Sequence, residues 1–378
     1  MSTLQHRVQG LNNDQVAADW PAIGMDEVHA LQPHFAALRG ASHVRWHSPR
    51  PMSAAAIIDT DNGPVFLKRH HRSVRDAVTL GEEHRFITHL AAAGLPVVQL
   101  LAAADGATAI EHGQWTYELH ALAAGDDRYR DLPSWLPPTS VDDARAAGGM
   151  LARLHQAAAS YQAPQRSTHM LVARDDLIRS ADPITGLQQQ LHERPALAAW
   201  LAGKPWQQQL QQHLLPWHQR LGTRLAQQPR LWAHNDWHVS NLLWHGQGAH
   251  SEVACVFDFG LASPTSALFD LATAIERNAV AWLSLHDGMA AVHTDIALAL
   301  LDGYRQQLPL GPDQVQLLAD LLPLVHLDFA VSEVEYSHAA TGSPANADIA
   351  WHDFLLGHAQ WFHSPAGQAL LQALRAAA

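Results

Sequence analysis

The sequence predicts an α+β protein of two lobes, a small antiparallel sheet followed by a mostly helical remainder. Three observations carry this reading. The chain has 378 residues, too many for one ordinary hydrophobic core and enough for two. Between His43 and Ala121 short alternating apolar runs are separated by turn residues, the pattern of antiparallel strands. Beyond Gly125 the apolar residues recur at helical spacing almost to the C-terminus.

Taken in order, the first forty residues read as an extension with a short helix near Met25–Leu38, ended by Gly40. HVRWHS, AAAIIDT and PVFLKRH follow as strands, the last two joined through the turn DNG. An amphipathic helix spans about Arg75–Ala93, with Val78, Phe86, Ile87 and Leu90 on one side and GLP closing it. Two further strands are expected at Val97–Ala103 and Gln114–Ala121, around a turn at Asp105–Gly106. GDDRYRDLPSWLPPTS, rich in Pro, Asp and Arg, reads as a crossover. The helices expected beyond it are Val141–Ala159, Leu187–Ala202, Trp206–Gln227, Leu268–Leu283, Thr294–Gln307, Pro312–Ser332 and Asp348–Phe362. The implied division is 1–119 for the extension and small lobe and 120–378 for the helical lobe.

Composition excludes several classes of function. One cysteine, Cys255, rules out a disulfide framework and points to a reducing, cytoplasmic setting. The N-terminus lacks a basic-then-apolar signal pattern, and the longest apolar stretch, Leu90–Ala104, is interrupted by Gly, Pro and Gln, so no membrane segment is expected. A net charge of −12 argues against nucleic-acid binding and suits a cationic acceptor. Histidine is abundant at 27 residues, but neither His70–His71 nor His234 with His238 has the spacing of a zinc site.

The chemistry is concentrated in LWAHNDWHVSNLLW and VFDFG. Asp236 and Asn241 lie on one predicted loop between apolar pairs, and Asp258 follows an apolar strand one hairpin later. A carboxylate base beside an acceptor hydroxyl, with two oxygen ligands for magnesium, is the inventory that phosphoryl transfer from ATP requires. His234 is positioned to prop the loop through a hydrogen bond.

With Lys68 in a strand, Glu83 in the next helix, the H-x-D-x4-N loop and DFG in that order, the chain resembles the protein-kinase-like fold. Specifically it resembles the aminoglycoside phosphotransferase and choline kinase superfamily, to which LARLHQ (Leu151–Gln156), HNDWHVSNLLW (His234–Trp244) and FDLA (Phe269–Ala272) are also similar. The loop departs from the commoner family form at Asn235 and Ser240, where Gly is usual. The resemblance implies a bilobal fold, ATP and Mg2+ as cofactors, and a small-molecule hydroxyl compound as acceptor. Asp236 would be the catalytic base, and Asn241 and Asp258 the metal ligands. Lys68 would hold the α and β phosphates, braced by Glu83 with Glu82 as rival, and Asp270 would brace the catalytic loop. Ser53, in the turn SPRPMS with Arg50 and Met52 near it, would meet phosphate through its hydroxyl and backbone, and the adenine would meet backbone at Glu118–His120.

The acceptor side is read less sharply. Asp126, Asp127, Tyr129, Trp237, Glu276, Arg277, Glu333, Glu335 and Tyr336 are the candidates, Trp237 foremost because it neighbours the base. Two other readings use the same scaffold: a Ser/Thr protein kinase, which an open cleft would favour, and a nucleotide-binding pseudokinase, which loss of the lysine, base or metal ligands would favour. An acceptor pocket enclosed by C-terminal helices favours a small-molecule kinase.

Overall fold

The computed structural model describes residues 6–7, 15–130, 132 and 135–378. Most of the first fifteen residues of the expected extension, and part of the crossover, lie outside them. A helix α1 (Met25–Leu31) precedes the small lobe. The lobe's sheet is built from β1 (His43–His47), β2 (Ala54–Asp59), β3 (Val65–His71), β4 (Ala109–His112) and β5 (Trp115–Ala121), with α2 (Ala77–Ala92) between β3 and β4. The spatial order is β1-β2-β3-β5-β4, antiparallel throughout. The fold is thus the expected small antiparallel sheet beside a helical lobe.

Side-chain alternation gives the two faces of this sheet different work. Leu67, Tyr117 and Leu119 face one way and form a core with Val28, Leu31 and Phe35 from the segment around α1. Lys68 pairs across the ladder with Glu118, and Phe66 with His120, on the other face. That face meets α2, whose Phe86, Ile87 and Leu90 belong to a second core continuous with the helical lobe through Trp232, Val256 and Phe259. Val78, expected on the buried side of α2, is 70% exposed because it lies in the first turn, before the helix reaches the core.

The fifth strand is Ala109–His112 rather than Val97–Ala103, which makes only single bridges at Val97 and Leu100. Proline and turn chemistry also divide several long helical expectations. The first helix stops at Leu31, before Pro33. Leu187–Ala202 becomes Pro183–Gln190 and Pro195–Leu201, and Trp206–Gln227 becomes Trp206–His213 and Leu215–Leu221, with Pro in the first turn of each successor. Pro312–Ser332 divides into Pro312–Leu321 and Leu327–Ala339.

The helical lobe centres on α3 (Val141–Ala158) crossed by a helix at Thr294–Gln307. Their backbones touch: a Cβ on Gly148 would lie 2.0 Å from the Leu300 carbonyl oxygen, and one on Gly303 would lie 1.9 Å from that of Arg145. Between these helices and the small lobe lie the short strands β6 (Leu231–Ala233), β7 (Leu242–His245), β8 (Glu252–Val256) and β9 (Ser263–Thr265). They pair as β6–β9 and β7–β8, which brings the β6–β7 loop beside the segment after β8. Helix α4 (Ala267–Ala279) then starts from the Ser266 N-cap. No helix among the described residues is long and apolar enough to cross a membrane.

Candidate active site

The loop between β6 and β7 is held from beneath by one fully buried carboxylate. Asp270 Oδ1 accepts from the Asn235 N–H at 2.8 Å, and Oδ2 accepts from the His234 N–H at 3.0 Å. His155 Nε2, from the LARLHQ segment of α3, lies 3.0 Å from the same Oδ2. Asn235 has φ +59, a left-handed conformation that Asn tolerates and that explains why glycine is usual there. Its side chain adds a local network, donating to Ala233 O and Ser263 O and accepting from the Thr265 hydroxyl. His234 props the loop as expected, with Nδ1 accepting from the Asp236 N–H at 3.2 Å and Nε2 donating to Phe257 O at 3.0 Å.

This frame presents Asp236 to the lobe junction. Its Oδ1 is ion-paired with Arg277 of α4, and its Oδ2 lies 3.2 Å from Asn241 Nδ2. Asn241 Nδ2 also donates to Asp236 O at 2.8 Å. Both partners are acceptors, so the amide nitrogen must face them and the amide oxygen is left pointing away from Asp236. Asp258 stands opposite with φ +59, a strained conformation for a non-glycine residue of the kind that clusters at functional sites.

Lys68 Nζ is 2.7 Å from Asp258 Oδ1. Burial opposes the Lys68 charge, but Asp258, Glu118 and Glu83 outweigh it and raise the ammonium above its usual range. Burial likewise works against the Asp258 carboxylate, and Lys68 more than offsets it. The expected pairing of Lys68 with Glu83 is therefore replaced by Lys68 with Asp258. Glu83 is buried beside the slot and stands 3.6 Å from Arg166 Nη2, while Glu82 takes Arg166 Nε at 3.0 Å. Arg166, itself buried, draws both carboxylates, and the flexible lysine reaches the acid that the β8 turn holds across the gap.

Two cavities meet at the Lys68–Asp258 pair. One, about 140 Å³, is a slot between the lobes lined by Ile57, Phe66, Leu243 and Phe257, with Lys68, Ser53, Asn241 and Asp258 at its inner end. Glu118 and His120 border it as well. Their backbones are committed to the sheet, where Glu118 pairs with Lys68 and His120 with Phe66, and Ala121 N donates to Gln99 O at 2.9 Å. The chain leaves the sheet after Ala121, and Ala121, Leu122 and Ala123 also line the slot. Glu118 and His120, the residues expected at the adenine contact, thus line the slot together with the residues at the strand exit.

The second cavity, about 230 Å³, opens from Asp236 and Arg277 towards Asp19, Trp20, Trp135, Phe329, Glu333 and Tyr336. Arg277 stacks over the Trp135 ring at 4.6 Å. Burial pushes the Glu333 carboxyl up to about 8, against the pull of Arg277. Of the acceptor candidates, Arg277, Glu333 and Tyr336 line this space. Trp237 does not: it is fully buried, edge-on to His234 at 5.3 Å, because the loop frame turns its indole into the core. Glu276 pairs with His358, Glu335 with Arg194 and Tyr129 with Asp143, all away from the cavity. Asp127 borders the slot instead, and the Asp126 backbone bridges to Trp244. Asp19, Trp20 and Trp135 had no local sequence signal, since they reach the site from distant segments.

A family model for phosphotransferase enzymes matches residues 53–317, a span that includes the loop, Lys68 and Asp258. The chain belongs to the phosphotransferase enzyme family. As a member of it the protein is a kinase with a hydroxyl acceptor, and its fold is shared with solved members. An amicoumacin kinase in complex with AMP-PNP, Ca2+ and Ami superposes with a TM-score of 0.58 at 15% identity, covering 89% of this chain and 92% of that one. A microcompartment-associated aminopropanol kinase gives 0.56 at 14%, covering 93% and 100%. An aminoglycoside phosphotransferase from Alicyclobacillus acidocaldarius gives 0.52 at 14%, covering 95% and 97%. No curated protein matches the sequence.

The residues of this phosphotransferase suit a hard divalent cation. The Asp258 carboxylate and the Asn241 amide oxygen are oxygen donors that border both cavities, and two protein oxygens completed by phosphate and water is a common magnesium arrangement.

Proposed function

We propose that the protein transfers the γ-phosphate of ATP, in the presence of Mg2+, to a hydroxyl of a small metabolite or aminoglycoside-like compound. One observation carries the reading: Asp236, Asn241, Asp258 and Lys68 all border the cavity at the point where the nucleotide slot opens into it. Lys68 would hold phosphate oxygens, with Ser53 beside it in the β1–β2 turn. Asn241 and Asp258 would hold magnesium, which supplies charge neutralisation on the phosphates. Asp236 would accept the acceptor's hydroxyl proton, its carboxylate oriented by Arg277 and Asn241. Helix Leu327–Ala339 walls the acceptor cavity through Phe329, Glu333 and Tyr336, and the N-terminal segment closes another side through Asp19 and Trp20. Enclosure supports a small acceptor over a protein substrate, and the carboxylates and aromatic rings suit one that carries an amine.

The test is Mg2+-dependent transfer from ATP across amino sugars, amino alcohols, sugars, homoserine and a generic protein substrate. Asp236→Asn is expected to bind nucleotide normally and to lose turnover by roughly 10²–10⁴-fold. Asp258→Ala is expected to weaken Mg2+–nucleotide binding itself. Equal loss of nucleotide binding in both variants would overturn the role assignment.

A further inference from the structure

Beside Lys68, on the same face of the sheet, four side chains from three elements converge inside the small lobe. The alternation that places Lys68 towards α2 also places His70 of β3 and Glu118 and His120 of β5 on that face. Helix α2 lowers His84 onto it. His70 Nε2 lies 2.9 Å from Glu118 Oε1, and His84 Nε2 and His120 Nε2 lie 2.9 and 2.8 Å from Glu118 Oε2. The ligand atoms of His84, Glu118 and His120 fall within 4.8 Å of one another, and all three residues are buried. From this geometry we infer that His70, His84, Glu118 and His120 form a binding site for one divalent transition-metal ion, zinc being the best match.

Three imidazoles and a carboxylate make a four-ligand set of the type that zinc takes at about 2.0–2.2 Å per bond. The edge of such a tetrahedron is about 3.3 Å. The three histidine-to-Glu118 separations, 2.8–2.9 Å, lie within a few tenths of an ångström of it, whereas His70 stands outside the group of three whose ligand atoms are mutually within 4.8 Å, so its ring would have to swing inward to complete the set. His84 has the outer partner that metal-bound imidazoles commonly use, with Nδ1 2.7 Å from the Thr108 hydroxyl. With an ion bound, Nδ1–H donation to Thr108 would leave His84 Nε2 free to turn its lone pair to the ion in place of the contact it makes with Glu118 Oε2. The soft, nitrogen-rich set distinguishes this centre from the oxygen donors Asn241 and Asp258, which favour magnesium. The ion would tie α2 to the two strands that carry Lys68 and the slot's inner wall. Nothing in the sequence spacing announces it, because the four ligands are spread between positions 70 and 120 and only the sheet register and the packing of α2 bring them together.

The experiment uses the full chain without a histidine tag, stripped with EDTA and titrated with Zn2+ and with Co2+ in the absence of nucleotide. One equivalent of each is expected, Co2+ giving the intense visible bands of a tetrahedral site. His84→Asn and His120→Asn, checked for folding by circular dichroism, should lose the bands and weaken binding by at least roughly 100-fold. Thr108→Val, which leaves the ligands in place, should weaken it by roughly 10–100-fold and decides the matter should the histidine variants not fold. Absence of a stoichiometric site in the wild-type protein would overturn the proposal and leave a metal-free hydrogen-bond cluster. So would binding that is unchanged in all three variants, which would move the ion elsewhere, the buried Glu276, His326 and His358 being the next candidates.

Discussion

Replacing Asp270 with asparagine isolates the brace beneath the catalytic loop. The aspartate supplies two acceptor oxygens to three groups: the Asn235 N–H at 2.8 Å, the His234 N–H at 3.0 Å and His155 Nε2 at 3.0 Å. Asparagine keeps the shape but offers one oxygen and one NH2, so at least one backbone N–H would face another donor. A hydrogen bond to a charged group contributes about 1.5–3 kcal/mol, and stranding a buried donor costs about 1–3 kcal/mol. The expected destabilisation of Asp270→Asn is therefore about 3–5 kcal/mol, within the 5–15 kcal/mol that a typical domain has in hand. The loop would shift with its frame, and displacement of a catalytic group by about 1 Å can lower turnover roughly 100-fold. Nucleotide KM should change less than turnover, because Lys68 and Asp258 hang on other elements and Asn241 alone of the proposed nucleotide-side groups shares the loop. Urea unfolding and steady-state kinetics on an acceptor identified by the panel measure both quantities. A stability loss under about 1 kcal/mol together with turnover within tenfold of wild type would refute the brace.

Two further outcomes follow from burial and close packing. Burial pushes Glu276 up to about 8 from an ordinary value of 4.5, while His358, 3.2 Å away, is held well below its usual range by the same cause. Between pH 4.5 and 8 the folded state keeps a proton on Glu276 that the unfolded state has released, so this group's contribution makes stability fall as pH rises, by at most about 1.4 kcal/mol per unit. Glu276→Gln preserves the hydrogen bond to His358 without the proton, so its stability relative to wild type should grow by up to about 3 kcal/mol towards pH 7. Paired urea melts from pH 5 to 8 check this, and a difference independent of pH would count against it. Gly148→Ala places a methyl 2.0 Å from the Leu300 carbonyl oxygen, a backbone atom that cannot swing aside. A loss of roughly 1–3 kcal/mol or more is expected, visible as a lower Tm.

Much of the small lobe was legible because strand alternation and turn residues are local signals. His43–His47, Ala54–Asp59, Val65–His71 and Trp115–Ala121 all lie where the pattern put them. Ala109–His112 was missed because an edge strand four residues long has little pattern, whereas Val97–Ala103 looked apolar enough to be a strand but makes single bridges. Helix ends within Leu187–Gln227 were misread where proline starts a new helix after a turn instead of ending the pattern.

The sequence by itself determined the two-lobe organisation and the inventory of Asp236, Asn241, Asp258 and Lys68, because each of these sits in a short motif whose residue types already imply its chemistry. Tertiary structure decided who pairs with whom. It set Lys68 against Asp258 instead of Glu83, gave Arg277 to Asp236, buried Trp237, and brought Asp19 and Trp20 to the acceptor cavity. The physical reason is range: strand period, turn chemistry and capping act over a few residues and can be read along the chain. Coulomb attraction and burial act between whichever groups the packed elements bring within a few ångströms, however far apart they lie in sequence.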